Sequence, residues 1–135
     1  MLKQLTVETP AGESLIDITA QVKELVAESG VPAGICALIV PHTTAGITLN
    51  SSMDNDTLDD IVTELKRLVP TRVDFAHQYD TPADAAAHVK ATLVGNSITL
   101  AIEGGELLVG WSQFLLFYEF DGPRKRTVQV KLVAG

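Results

Sequence analysis

A single cysteine, Cys36, sets the first exclusion, because no internal disulfide can form. It lies in the apolar run "GICALIV", where the expected role is a small buried hydrophobe and the lesser alternative a reactive thiol. Long apolar stretches are missing too. None approaches the roughly 18 unbroken apolar residues of a bilayer span, so no membrane association is expected. The opening "MLKQLTVETPAGESL" has neither the apolar segment nor the small-residue cleavage site of a secretion signal, and a cytoplasmic location follows as the expectation. Positive charge is scarce: ten Lys and Arg against seventeen Asp and Glu leave a formal net charge of −7. That field repels phosphate backbones, so no nucleic-acid partner is expected. Repeats, low-complexity stretches and linkers are absent as well. With 135 residues, 46% hydrophobic and 20% charged, the chain reads as one globular domain over 1–135.

What is present is a set of clear periodicities. "KQLTVE" alternates as a strand, and "DITAQVKELVAESGVP" reads as a helix capped by Thr19 and ended by Gly30 and Pro32. Residues 34–40 and 42–49 are strand-like. In "DNDTLDDIVTELKRLVP", Leu58, Ile61, Val62, Leu65, Leu68 and Val69 recur at helical spacing until Pro70 closes the helix. "TPADAAAHVKATLVG" predicts a third helix, with Thr81 as cap, Pro82 in the first turn and an end near Gly95. "SITLAIEGGELLVG" predicts a hairpin at Gly104-Gly105. "FLLFYEF" is too continuously apolar for a one-sided strand, while "TVQVKLV" alternates cleanly. Strands on both sides of a helical middle predict an α+β fold, mainly antiparallel, folded into two sandwich-like layers with about three helices.

The chemistry-bearing residues begin with "PHTTAGITLN". If residues 42–50 stay extended, His42, Thr44, Gly46, Thr48 and Asn50 share one face and Ala45, Ile47 and Leu49 the other. The polar face lines a cavity or meets solvent; the stretch alone leaves both open. Two further histidines occur in "HQYDTPADAAAH", where Asp84 precedes His88 by four residues and so shares its helix face. A carboxylate there can orient an imidazole as a metal ligand's partner or a catalytic base, or form an ordinary surface pair. The intervals between the three histidines match no short zinc motif. In "PRKR", Arg124 and Arg126 fall on one strand face, an arrangement that suits a diphosphate or salt bridges on an acidic protein. Glu119 inside "FLLFYEF" needs a partner, and a contact to an arginine of a neighbouring subunit is the expectation.

Together these residues resemble the YjbQ family, whose members are often labelled secondary thiamine-phosphate synthases. The matching segments are "HTTAGITLN" from His42 to Asn50, Asp54, His77, Asp84, "HVKATLVG" from His88 with Lys90 inside it, Gly110, Gln113, and "EFDGPRKR" from Glu119 to Arg126. They run in one order over about two thirds of the chain. The resemblance implies an α+β homotrimer with a divalent metal, zinc, held by His42, His77 and His88. It implies Asp84, Lys90 and Arg124 as catalytic residues and Thr44, Asn50, Gln113 and Arg126 as contacts to a small phosphorylated substrate. The implied activity is a transferase of the thiamine-phosphate synthase type, poorly defined in the family; the alternative is a trimeric metal- or ligand-binding protein without turnover. Two departures bear on the choice. Ser51 stands where the family usually has glutamate, and Trp111-Ser112 replaces a threonine-tryptophan pair before Gln113.

Overall fold

The computed structural model describes residues 1–135 as three helices and eight strands in two antiparallel sheets. The strands are β1 (Leu2–Glu8), β2 (Gly12–Asp17), β3 (Gly34–Ile39), β4 (Ala45–Asn50), β5 (Ser97–Glu103), β6 (Glu106–Leu107), β7 (Phe114–Gly122) and β8 (Lys125–Ala134). The helices are α1 (Thr19–Ser29), α2 (Asn55–Leu68) and α3 (Pro82–Val94). One sheet has the order β1-β8-β3-β5-β6 and the other β2-β7-β4. Val128, Val130 and Leu132 of β8 meet Leu115 and Phe117 of β7 in the core between the sheets, with Val22 and Val26 of α1 closing one side. The α+β, two-layered expectation therefore holds. Cys36 is fully buried in this core, and burial pushes its thiol up to about 11, as befits an inert side chain.

β7 explains its own unbroken apolar run. It is the central strand of the smaller sheet, so one face meets the larger sheet while Tyr118 and Phe120 pack on the other against Ala87 of α3 and Ile61, Val62 and Leu65 of α2. Both faces are buried, and both must be apolar. β2, its neighbour, was not legible in the sequence, because a register irregularity between Gly12 and Ser14 interrupts its alternation. α3 behaves as predicted: the Thr81 hydroxyl accepts from the Asp84 N–H, Pro82 opens the helix and Gly95 follows its end. α1 differs in its cap. Thr19 is its first residue, and the Asp17 carboxylate accepts from both the Thr19 N–H and hydroxyl, while the Thr19 Oγ1 accepts from the Leu115 N–H.

Glu119 corrects another expectation. Its partner belongs to the same chain: Arg126 donates from Nε to Oε1 at 2.8 Å and from Nη2 to Oε2 at 2.6 Å. The two side chains sit between the sheets, with Thr9 donating to Oε1, the Asp121 N–H to Oε2, and Thr44 accepting from Arg126 Nη2. Burial alone would raise the Glu119 carboxyl, but the Arg126 hydrogen bonds, those from Asp121 and Thr9, and the guanidinium charge outweigh it and hold it below its usual value. An unfolded chain then takes up the proton first as pH falls. The contribution of this pair is complete above the ordinary carboxylate range and lost below it. The urea midpoint is expected to fall steadily from about pH 5 to about pH 3; a midpoint flat across that window would contradict the assignment.

Candidate metal centre and adjoining cleft

α3 carries the centre. Ala85, Ala86 and Ala87 are buried, and such small side chains let the helix lie close to the smaller sheet. On the same helix Asp84 and His88, one turn apart, project together. His77 arrives from the irregular segment before the helix and is fastened to it: its Nε2 lies 2.9 Å from Asp84 Oδ2, and His88 Nε2 lies 3.3 Å from the same oxygen. The two imidazoles meet edge to face, with centroids 5.1 Å apart. Donor atoms of His77, Asp84 and His88 all fall within 4.8 Å of one another. Asp84 is buried, which by itself would raise its carboxyl; the His77 hydrogen bond and the nearby imidazoles outweigh that and hold it below the usual range. It therefore stays an anion, the form a metal requires.

His42 stands apart from this group. The ladder between β3 and β8 ends at Ile39 opposite Gln129, and two residues further along β8 the Thr127 N–H is taken at 3.0 Å by His42 Nε2. Burial, then the Arg126 guanidinium, lowers the His42 imidazole below its ordinary value, so it is neutral at pH 7. It nevertheless faces the same open cleft as His88, about 380 Å³ in volume, whose polar wall is completed by Thr43, Thr92 and Asn96. Gly46 allows that cleft to form. A Cβ there would stand 2.7 Å from the Gly95 carbonyl, so only glycine lets the turn after α3 close onto β4, where the Ile47 N–H donates to Gly95 O.

The remaining predicted residues lie elsewhere. Thr44 and Arg126 belong to the Glu119 network. Lys90 points to the buried side of α3, where its Nζ pairs with Glu13 Oε1 of β2 while Lys66 of α2 lies 3.7 Å from Oε2. This cluster ties both helices to the sheet. Arg124 is exposed beside Asp121, Asn50 accepts from the Ser51 N–H, and Gln113 accepts from the Gly110 N–H to close a turn. Trp111 is 86% exposed in that turn. Of the sequence-derived set, the structure brings together His77, Asp84 and His88, with His42 across the cleft. The structure adds Thr43 and Thr92, which lie inside the quoted segments without an assigned role, and Asn96, for which nothing in the sequence stood out.

Comparison with known proteins agrees with this architecture along its length. The sequence profile of "UPF0047 protein YjbQ-like" matches residues 3–135. A UPF0047 protein of Methanocaldococcus jannaschii is 41% identical over 133 residues, covering 98% of this chain and 94% of the relative. The UPF0047 protein YugU of Bacillus subtilis is 37% identical over 98% of this chain and 99% of its own. Among solved structures, a YbjQ-like protein of unknown function from Sulfolobus solfataricus superposes with a TM-score of 0.93 at 31% identity, covering all of this chain and 97% of that one. An uncharacterised protein of the same family from Clostridium acetobutylicum gives 0.89 at 41%, over 97% of this chain and 99% of that one.

Proposed function

The chain belongs to the YjbQ-like UPF0047 family, and from that premise we propose that it is a divalent-metal protein, with zinc the best-matched ion, acting on a small phosphorylated molecule. One observation carries the reading: two imidazoles and an ionised carboxylate, from positions 77, 84 and 88, converge within 4.8 Å. The donor set fits. Mixed nitrogen and oxygen ligands suit zinc and neighbouring divalent ions, and three protein ligands are the number that leaves a position open for chemistry. His77 Nε2, Asp84 Oδ2 and His88 Nε2 would hold the ion, which when bound supplies Lewis acidity toward an oxygen of substrate or water.

The chain's own groups do the rest. His42, fixed by Thr127 and neutral, offers the cleft an imidazole that does not compete by charge with a cation. Thr43, Thr92 and Asn96 offer uncharged hydrogen-bonding groups for orientation. A thiamine-phosphate synthase-like transfer and a homotrimer are the finer terms of this reading, and both are supported by the family resemblance. No helix is long and apolar enough to cross a membrane. Elemental analysis after zinc supplementation and desalting is expected to return about one zinc per chain. No retained metal would remove the proposal's basis.

A further inference from the structure

A second cleft meets the same triad at His77. It has a volume of about 210 Å³ and is lined by Arg72, Phe75, His77, Gln78 and Asp80 among others. Of the residues lining this cleft and the one shared by His42 and His88, Arg72 is the single fixed cation. Both arginines that the sequence offered for anion recognition are engaged elsewhere: Arg126 with Glu119, and Arg124 with Asp121. We infer that the Arg72 cleft is an oxyanion subsite, in which the Arg72 guanidinium recognises the phosphate monoester or carboxylate of a ligand that also reaches the triad.

Three features support it. The Arg72 guanidinium is held in place: its Cζ lies 4.9 Å from the Phe75 ring centroid, and its Nε lies 3.4 Å from Asp74 Oδ1. Those contacts leave both terminal nitrogens without a protein partner, the pair that binds an oxyanion two-fold. Gln78 donates to the Phe75 carbonyl at 3.0 Å and so braces the segment that carries the ring. Tyr79, 91% exposed with its ring 5.4 Å from that of His77, adds a second aromatic surface beside the triad and suits a ligand with a planar ring. Asp80 in the same cleft opposes a fully ionised ligand, so Arg72 alone binds weakly and the triad's ion strengthens binding.

The inference rests on the metal reading of the triad, and its test separates the two. Phenyl phosphate and benzoate are titrated calorimetrically into wild type, Arg72→Gln and Arg72→Lys, each zinc-free and zinc-loaded. Arg72 is exposed on a loop, so the variants fold. Phenyl phosphate is expected to bind zinc-loaded wild type on the order of tenfold more tightly than Arg72→Gln, with Arg72→Lys between them. Equal affinity for wild type and Arg72→Gln, or no binding to wild type in either state, overturns the subsite. Should zinc fail to bind at all, the metal reading falls, and Arg72-dependent binding to the zinc-free protein still supports the subsite. Arg72-dependent binding of benzoate alone keeps the subsite and assigns it to carboxylates in place of phosphate esters.

Discussion

Asp84→Ala and His88→Ala are each expected to abolish stoichiometric zinc binding, whereas His42→Ala leaves it within a few-fold of wild type. The contrast follows from placement. Asp84 Oδ2 is within 3.3 Å of both triad imidazoles, while His42 Nε2 is taken by a backbone N–H of β8. Loss of groups that merely orient metal ligands already costs 10–100-fold in affinity, so loss of a ligand from a three-donor set should exceed about a hundredfold. Competition against a chromophoric chelator reads this directly. Asp84→Asn sharpens the result: it keeps shape and one oxygen but removes the charge that the His77 hydrogen bond and the two imidazoles keep on the carboxylate against the effect of burial. If His42→Ala proved as damaging as Asp84→Ala, the third donor would be His42 and the triad as placed would not be the site.

That contrast also shows where the sequence was readable. Asp84 and His88 could be paired from their spacing, because an interval of four on a capped, proline-initiated helix leaves little freedom in their relative position. His77 could not be placed that way. It sits in a segment without regular structure, and its position is fixed by the contact with Asp84 that it makes. His42 was expected to continue a strand, but the chain leaves the β3 ladder at Ile39 and re-enters regular structure only at Ala45. The imidazole between them finishes the ladder in place of a carbonyl. The face read as Ala45, Ile47 and Leu49 does pack on the core, while Gly46 lies opposite against the turn after α3. For the arginines the sequence left a diphosphate and salt bridges as alternatives, and both side chains form salt bridges, Arg124 with Asp121 and Arg126 with Glu119. Strand alternation tells which face a side chain takes, not whether that face is solvent or the gap between two sheets. Arg126 falls in the gap, where its partner is a residue seven positions earlier across a reverse turn.

Glu119→Ala is accordingly expected to destabilise the fold of each chain and not merely an assembly of chains. The Glu119 side chain is fully enclosed and that of Arg126 is 7% exposed. Removing one partner leaves the other charged, buried and short of hydrogen bonds, which costs about 3–5 kcal/mol. For a domain of this size that corresponds to a fall in Tm of roughly 10–20 °C, measured by calorimetry at pH 7. Arg126→Met should cost a similar amount by the converse route. The double replacement Glu119→Leu with Arg126→Met is the decisive comparison, since it deletes both charges and restores apolar volume between the sheets. Buried pairs replaced in this way are often neutral, but here Thr9, Thr44 and the Asp121 N–H also lose partners. Recovery should therefore be partial: more stable than either single variant, less stable than wild type. Additive losses in the double variant would mean that the two side chains are not energetically coupled across the sandwich. Because Thr44 stands two residues from His42, the same variants should loosen the cleft wall and weaken ligand binding without touching the zinc stoichiometry set by α3.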